Sequence, residues 1–257
     1  MAMLAFVATC FAQKKLVLYF SETQTTQKVA LALQKQLSLP DKAVVAIELV
    51  EPYTGNMMET MQRAQREKQP ALKPLKAKIA DYDIIFLGYP IWSGTYALPI
   101  ASLLKQEDFA GKTIVPFCTF GSGGLESSMA DLKKALPKAT IKPGYGVRQA
   151  RVASATKELD RFLKENGYVA GKVKALPAYS AQQPVTDAEK AIFDAACSSY
   201  QFPLGTPQTF GKRTTDDSID YEFKVKSQGF GSGGESTIYV TMGKEAGAKP
   251  EFTRVVR

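Results

Sequence analysis

The sequence predicts an α/β protein in which a doubly wound, five-stranded parallel sheet is followed by a small α+β domain. Between residues 13 and 168, short apolar runs alternate with amphipathic helical patterns, as expected of parallel strands that helices cover on both faces. After residue 184, one helical pattern is followed by three strand-like runs with polar or Gly-rich connections. That succession is typical of a helix and an antiparallel meander.

The elements of the first domain alternate in order along the chain. Apolar runs predict strands at residues 16–20, 43–49, 84–89, 113–119 and, more weakly, within 140–147. The first helix follows the first strand, with Val29, Ala30, Leu33 and Leu37 on one face. Further helices are predicted at residues 57–68, 98–105, 127–136 and 154–166. Ser127 is expected to cap the fourth helix, and Gly167 to end the fifth.

A linker and a second domain complete the chain. Residues 169–183 are rich in Ala, Gly and Pro without a clear period, so they predict a linker, and residues 184–257 form the second domain. Thr186 and Glu189 have the spacing of a capping box, which opens a helix that reaches about residue 200. Its inward face is predicted to carry Ala188, Ile192, Ala195 and Ala196. Strands are predicted at 221–225, 237–242 and 252–256.

The first twelve residues are uncharged and almost wholly apolar. We interpret them as the end of a secretory signal cleaved after Ala12, whose basic start lies upstream of a start codon assigned too late. An extra buried N-terminal strand is the alternative. Residues 7–10, ending in Cys10, also resemble a lipoprotein box, which makes lipid anchoring a less favoured reading. We expect an exported, periplasmic or extracytoplasmic protein without a transmembrane segment.

Composition excludes several kinds of chemistry. The chain has no histidine, so Ser-His and Cys-His nucleophiles, histidine metal sites and imidazole acid–base catalysis are all excluded. Its three cysteines form no zinc or disulfide pattern, and Cys118 and Cys197 are predicted to be core thiols. Any chemistry must therefore come from other side chains or from a cofactor, and we predict no catalytic side chain and no metal ligand.

The formal charge of +8 is unevenly distributed. Residues 13–180 carry 24 Lys and Arg against 15 Asp and Glu, whereas residues 181–257 carry 9 against 10. A basic surface attracts anionic partners, so we expect an anionic redox partner or small-molecule electron donor or acceptor. Nucleic acid is not expected, because the basic residues are not interleaved with aromatic ones. Arg148 and Arg151, which follow the fifth predicted strand, are interpreted as solvated charges, with attraction of an acidic electron donor as the alternative.

A hydroxyl-rich turn joins the first strand to the first helix. It contains Ser21, Thr23, Gln24, Thr25 and Thr26 and has no Lys or Arg. A helix N-terminus offers unpaired N–H groups and a positive dipole end, and the hydroxyls add donors at the same place. The turn is therefore predicted to bind a phosphate group through neutral donors, unlike a Walker loop with its lysine. A polar turn with a threonine N-cap is the alternative.

Two more candidate loops follow the third and fourth predicted strands. The second loop contains Pro90, Ile91, Trp92, Ser93, Gly94 and Thr95, and the third contains Thr119, Phe120, Gly121, Ser122, Gly123 and Gly124. All three loops share the carboxyl edge of the sheet, where ligands of such folds bind. The single Trp can stack on a flat conjugated ring, and glycines let backbone N–H groups approach its edge. Taken singly, Trp92 can equally be core packing and the glycines an ordinary turn.

These three loops resemble those of the flavodoxin-like family, over about residues 15–168. The family's phosphate loop, Thr/Ser-x-Thr-Gly-x-Thr, matches residues 21–26 at its hydroxyl positions, with Gln24 where the family usually has Gly. The resemblance implies flavin mononucleotide (FMN) as the cofactor. It also implies that Trp92 flanks the isoalloxazine, that the peptide of Ser93 and Gly94 faces flavin N5, and that residues 119–124 line the pyrimidine side.

The expected function is that of an FMN-dependent oxidoreductase, of the quinone or nitro-compound reductase type, or an electron carrier of the cell envelope. The basic first domain differs from electron-carrier flavodoxins, which are typically acidic. The alternative is a non-catalytic interaction protein that uses a degenerate flavodoxin scaffold and its C-terminal module.

Overall fold

The computed structural model describes residues 13–53, 56–67, 69–226 and 234–257. Two sheets follow one another along the chain, each with its own helices and apolar core. The predicted signal remnant and the stretch resembling a lipoprotein box lie outside the described residues. Among the described residues, no helix has both the length and the apolar character that a membrane span requires.

The first sheet is parallel except for one short hairpin strand. Its strands are β1 (Lys15–Tyr19), β2 (Val44–Ala46), β3 (Ile84–Trp92), β4 (Thr95–Tyr96), β5 (Thr113–Phe120), β6 (Thr140–Ile141) and β7 (Tyr145–Arg148). Their order is β2-β1-β3-β5, with β6 and β7 both paired to the outer side of β5 and β4 antiparallel to β3. The doubly wound sheet is confirmed. The weak fifth strand is split in two because Pro116 and Pro143 lack the N–H group that a ladder needs.

Helices cover both faces of this sheet. They are α1 (Thr25–Gln36), α2 (Met57–Arg66), α3 (Leu98–Gln106), α4 (Leu125–Ala135) and α5 (Ala155–Glu165). Alternate residues of β1 face opposite sides: Val17 packs in one cluster with Leu33 of α1 and Leu159 of α5, and Leu18 in another with Leu103 of α3. The central strands are buried on both faces, which explains why they are continuous apolar runs.

The strand order reverses at β1, which has β2 on one side and β3 on the other. A ligand of a doubly wound sheet binds beyond the carboxyl ends of the strands at such a reversal. The loops that leave β1, β3 and β5 at this edge therefore define where a site can form.

The second domain is one helix on a five-stranded antiparallel sheet. Its elements are β8 (Gln183–Pro184), α6 (Asp187–Cys197), β9 (Thr206–Thr214), β10 (Ser218–Lys226), β11 (Glu235–Gly243) and β12 (Glu251–Val256). The strand order is β12-β11-β10-β9-β8, so β12 lies at one edge of the sheet. The predicted helix and meander are confirmed, and β8 and β9 are additional strands.

Two helix details predicted from the sequence are wrong. Helix α4 begins at Leu125 after Gly124, and the Ser127 hydroxyl donates to the carbonyl oxygens of Gly94 and Gly124 instead of capping the helix. In α6, Phe193 and Ala196 are the buried residues, whereas Ala188 and Ala195 are exposed. The larger Phe193 side chain has more apolar surface to bury, so the helix turns that face to the sheet.

Candidate cofactor site

The first loop holds its central residue in a conformation that favours glycine. Gln24 is the N-cap of α1 and has φ 60° and ψ 0°, in the left-handed region. An L-residue with a Cβ is disfavoured there, whereas glycine is not. The turn therefore keeps the geometry that glycine would give it, although the sequence places a glutamine at this position.

The hydroxyls of the first loop divide into two groups. Ser21 Oγ accepts a hydrogen bond from the N–H of Gln27 at 3.2 Å, and the hydroxyl oxygens of Thr23 and Thr25 lie 3.0 Å apart. The Thr26 side chain is buried, and its hydroxyl pairs with that of Thr119 at 2.8 Å. Thr26 thus joins the first loop to the third, while its backbone N–H remains among the first amides of α1, which have no intrahelical acceptor.

The second loop is a tight hairpin at the end of β3. Strand β3 continues through Pro90 and Ile91 to Trp92, and the chain turns back through Ser93 and Gly94, whose φ angles are 49° and 85°. Two successive positive φ angles are those of a type I′ turn. A Cβ atom at Gly94 would meet no atom within 4 Å, so this turn borders open space.

Trp92 belongs to an aromatic cluster at the base of the second loop. Its ring lies 5.8 Å from that of Phe20 and 5.4 Å from that of Tyr53, both in edge-to-face geometry. The cluster fixes the position of a half-buried indole. Tyr53 is 7% exposed, its hydroxyl has no hydrogen-bond partner among the described residues, and burial raises its pKa.

The third loop is shaped by its glycines. Thr119 and Phe120 are buried at the end of β5, and Gly121 is exposed with no atom within 4 Å of a would-be Cβ. Gly124 has φ 114°, and a Cβ there would lie 2.6 Å from Cγ2 of Ile91. The third loop therefore packs closely against the second, and a side chain at position 124 would strike Ile91 unless Ile91 moved.

Contacts between the loops join all three at one edge of the sheet. Thr26 and Thr119 link the first loop to the third, and Ile91 and Gly124 link the second to the third. Phe20, the residue directly before the first loop, contacts Trp92 of the second. The predicted residues on or near the surface of this edge are Ser21, Thr23, Gln24, Thr25, Pro90, Ile91, Trp92, Ser93, Gly94, Gly121, Gly123 and Gly124. Thr26, Thr119 and Phe120 are buried beneath them.

Neutral groups dominate the three loops. Across residues 21–26, 90–95 and 119–124 the charged side chain is that of Glu22. Beneath the loops, burial raises the pKa of the Cys118 thiol well above its usual range, which keeps it protonated. Such an edge can bind an anion through N–H groups and hydroxyls, and a planar ring through apolar contacts.

Sequence reasoning missed two residues of this neighbourhood. Tyr53 follows β2 and thus leaves the same edge of the sheet, but the predicted site does not include it. Arg148, interpreted as a solvated charge, is only 7% exposed, and its Nε donates to the carbonyl oxygen of Gly121 at 2.7 Å. The interpretation of Arg148 is wrong because the second domain covers it, and no sequence pattern signals that contact.

The fold and its loops define a doubly wound α/β protein with a nucleotide-type site at the strand reversal. The family model for flavodoxin matches residues 14–165, so the chain belongs to the flavodoxin family. FMN is the cofactor of that family, in agreement with the expectation from the sequence. No curated protein matches the chain significantly.

Several solved structures resemble part of this chain. A candidate flavoprotein from Bacteroides uniformis is 26% identical, with a TM-score of 0.50, over 58% of this chain and 99% of that one. Another from Bacteroides eggerthii is 28% identical (TM-score 0.46; 57% and 98% covered). A flavoprotein in complex with FMN from Lactobacillus acidophilus is 21% identical (TM-score 0.47; 56% and 99% covered).

The residues present fit FMN. The left-handed Gln24 opens the N-terminus of α1 toward the loop hydroxyls, as a phosphate requires. Gly94 and Gly121 both border open space, and the buried Tyr53 hydroxyl lacks a partner within the described residues. Together these features provide a polar end for the nucleotide tail and an apolar, glycine-lined end for the ring.

Proposed function

We propose that this chain is an FMN-dependent redox protein, either an oxidoreductase acting on small molecules or an electron carrier. The observation that carries the proposal is the mutual packing of the three loops around the strand reversal, with donors at one end and Trp92, Gly94 and Gly121 at the other. FMN, when bound, supplies the one- or two-electron chemistry. The protein supplies binding, orientation and control of the potential.

The phosphate is proposed to bind the first loop. Ser21, Thr23 and Thr25 supply hydroxyls, and the first amides of α1 supply N–H groups. Because these donors are neutral, the helix dipole provides most of the electrostatic attraction. The Gln24 side chain, which is exposed, is available as a further donor.

The ring is proposed to lie between the second and third loops. Trp92 would flank it, held by its edge-to-face contacts with Phe20 and Tyr53. Gly94 and Gly121 leave room for the ring edge. No side-chain base is needed, because hydride or electrons arrive from outside the protein, which agrees with a chain that lacks histidine.

The setting of this activity is also part of the proposal. The apolar residues 1–12 favour export from the cytoplasm, and the basic first domain favours an anionic electron donor or acceptor.

Two measurements test the function. Protein purified without added cofactor, or refolded with FMN, should show the near-ultraviolet and blue absorption bands of bound flavin. Colourless protein that does not bind added FMN would refute the proposal and favour the interaction-protein alternative.

Anaerobic stopped-flow mixing with NADH or NADPH then separates the two redox roles. Reduction within seconds indicates an oxidoreductase, and reduction by dithionite alone indicates a carrier with another donor.

A further inference from the structure

The edge strand of the second domain rests on the third loop. The backbone N–H of Val255, in β12, donates to the carbonyl oxygen of Ser122 at 2.7 Å. A Cβ at Gly123 would lie 2.2 Å from the carbonyl oxygen of Val255, so the two backbones are as close as a glycine allows. The loop expected to line the flavin pyrimidine is therefore held by the C-terminal domain as well as by its own sheet.

Arg148, the last residue of β7, bridges the same two parts. Its Nε donates to Gly121 O at 2.7 Å, and its Nη1 donates to Phe252 O, in β12, at 3.0 Å. The guanidinium also lies over the rings of Phe252, at 4.1 Å, and Tyr200, at 5.5 Å. Planar guanidinium geometry allows two carbonyls to be bonded at once, which a lysine ammonium does less well.

The charge of Arg148 is buried and lacks a carboxylate partner. No Asp or Glu among the described residues forms an ion pair with it, and its donors go to neutral carbonyl oxygens and aromatic faces. Burial lowers the pKa of Arg148, but arginine stays protonated in proteins. An uncompensated positive charge therefore sits directly behind the Gly121 carbonyl.

From this geometry we infer that Arg148 is a positioning residue of the flavin site that couples it to the second domain. It fixes the Gly121 peptide from behind, and its positive charge favours the reduced flavin, which is more negative than the oxidised form. The inference rests on the proposed function. It adds that the C-terminal domain is part of the machinery that sets flavin affinity and potential.

Arg151 offers a matched control at the same domain interface. Its Nε contacts Glu251 at 2.8 Å and its Nη2 contacts Glu158 at 2.8 Å. It thus joins β12 to the first domain, as Arg148 does, but two carboxylates neutralise its charge, and neither of them belongs to the third loop. Removing Arg151 weakens the interface without touching Gly121.

The test compares Arg148→Met, Arg148→Lys and Arg151→Met in the full chain. FMN affinity is measured by fluorescence titration of the apo-protein, and the midpoint potential by equilibration with a reference dye. We expect Arg148→Met to bind oxidised FMN at least tenfold more weakly and to have a more negative potential. If the affinity for reduced FMN falls tenfold more than that for oxidised FMN, the midpoint potential of a two-electron couple falls by about 30 mV.

The other variants separate position from charge. Arg148→Lys should keep the midpoint potential close to that of the wild type, because the positive charge remains. It should bind FMN more weakly than the wild type, because an ammonium bonds two carbonyl oxygens at once less well than a guanidinium. Arg151→Met should lower the melting temperature and leave FMN affinity within twofold, because Arg148 and the hydrogen bond from Val255 to Ser122 keep β12 docked on the third loop. Unchanged affinity and potential in Arg148→Met, or equal losses in Arg151→Met, would overturn the inference.

A second variant tests the inference independently, in case Arg148→Met does not fold. Val255→Pro removes the N–H group that donates to the Ser122 carbonyl oxygen. Because the Val255 side chain is buried in the core of the second domain, circular dichroism must first show that this variant is folded. We expect it to weaken FMN binding at least threefold, and unchanged binding in a folded protein would count against the inference. Failure of the wild type to bind FMN would refute the proposed function as well, whereas normal wild-type binding with unaffected variants would refute the inference alone.

Discussion

Replacing Gly124 by alanine tests the packing of the third loop on the second. Gly124 has φ 114° and ψ 4°, and an alanine Cβ would lie 2.6 Å from Cγ2 of Ile91. The backbone conformation costs about 1–3 kcal/mol for a residue with a Cβ, and the overpacked contact costs about 1–3 kcal/mol. Because Ile91 is half-buried and can turn aside, we expect the free energy of unfolding to fall by about 2–4 kcal/mol.

The assay is urea unfolding of the apo-protein, followed by far-ultraviolet circular dichroism. Gly121→Ala is the matched control, because its Cβ would meet no atom within 4 Å and its φ lies outside the left-handed region. That variant should stay within about 0.5 kcal/mol of the wild type. If Gly124→Ala were as stable as Gly121→Ala, the reasoning would be wrong.

A double-mutant cycle divides the cost between backbone and contact. Ile91→Ala removes the methyl group that Gly124→Ala would strike, so the two substitutions together should cost less than the sum of each alone. We expect a coupling free energy of at least about 1 kcal/mol. A coupling near zero would assign the whole cost to the backbone and contradict the close contact.

Three further predictions concern the same edge and the core below it. Gly121→Ala should weaken FMN binding at least tenfold in fluorescence titrations without changing apo-protein stability, because its methyl group enters the space proposed for the ring; equal affinity would argue against that placement. Thr26→Val leaves the buried Thr119 hydroxyl unpaired, so the free energy of unfolding should fall by about 1–3 kcal/mol. Adding Thr119→Val should restore part of that loss, and no restoration would contradict the hydroxyl pair. Burial raises the pKa of Cys197 to about 12 and that of Cys118 also, so both thiols should resist iodoacetamide at pH 8 until the protein unfolds. Peptide mass spectrometry checks this, and rapid labelling of either thiol in the native protein would contradict it.

The first sheet could be predicted because each of its main strands is recognisable from its own sequence. In β1 and β5 every residue after the first is buried, and in β3 the first six residues are buried, so each strand appears as a mainly apolar run in the sequence. The order of the loops along the sheet then follows from the handedness of parallel connections. Residues 43–49 were predicted as a longer strand than β2, because the chain leaves the sheet after Ala46 while remaining buried at Ile47 and Leu49.

What the sequence could not predict depends on contacts between distant segments. Strand β9 includes Pro207, Gly211 and two adjacent cations, so its pattern is weak, and its pairing with β10 defines it. The sequence around Arg148 is typical of a surface charge. Its side chain is buried by β12, which lies more than a hundred residues further along the chain. Neither feature has a local signal.

Each of the three glycines of the third loop has a different neighbour. Gly121 borders open space, Gly123 admits the backbone of Val255, and Gly124 admits the side chain of Ile91. The loop is therefore fixed from two sides and free on the third, where the ring is proposed to bind. Two events that both order one loop are coupled, and the coupling is reciprocal. Docking of β12 should thus strengthen flavin binding by the same factor by which bound flavin strengthens docking of β12.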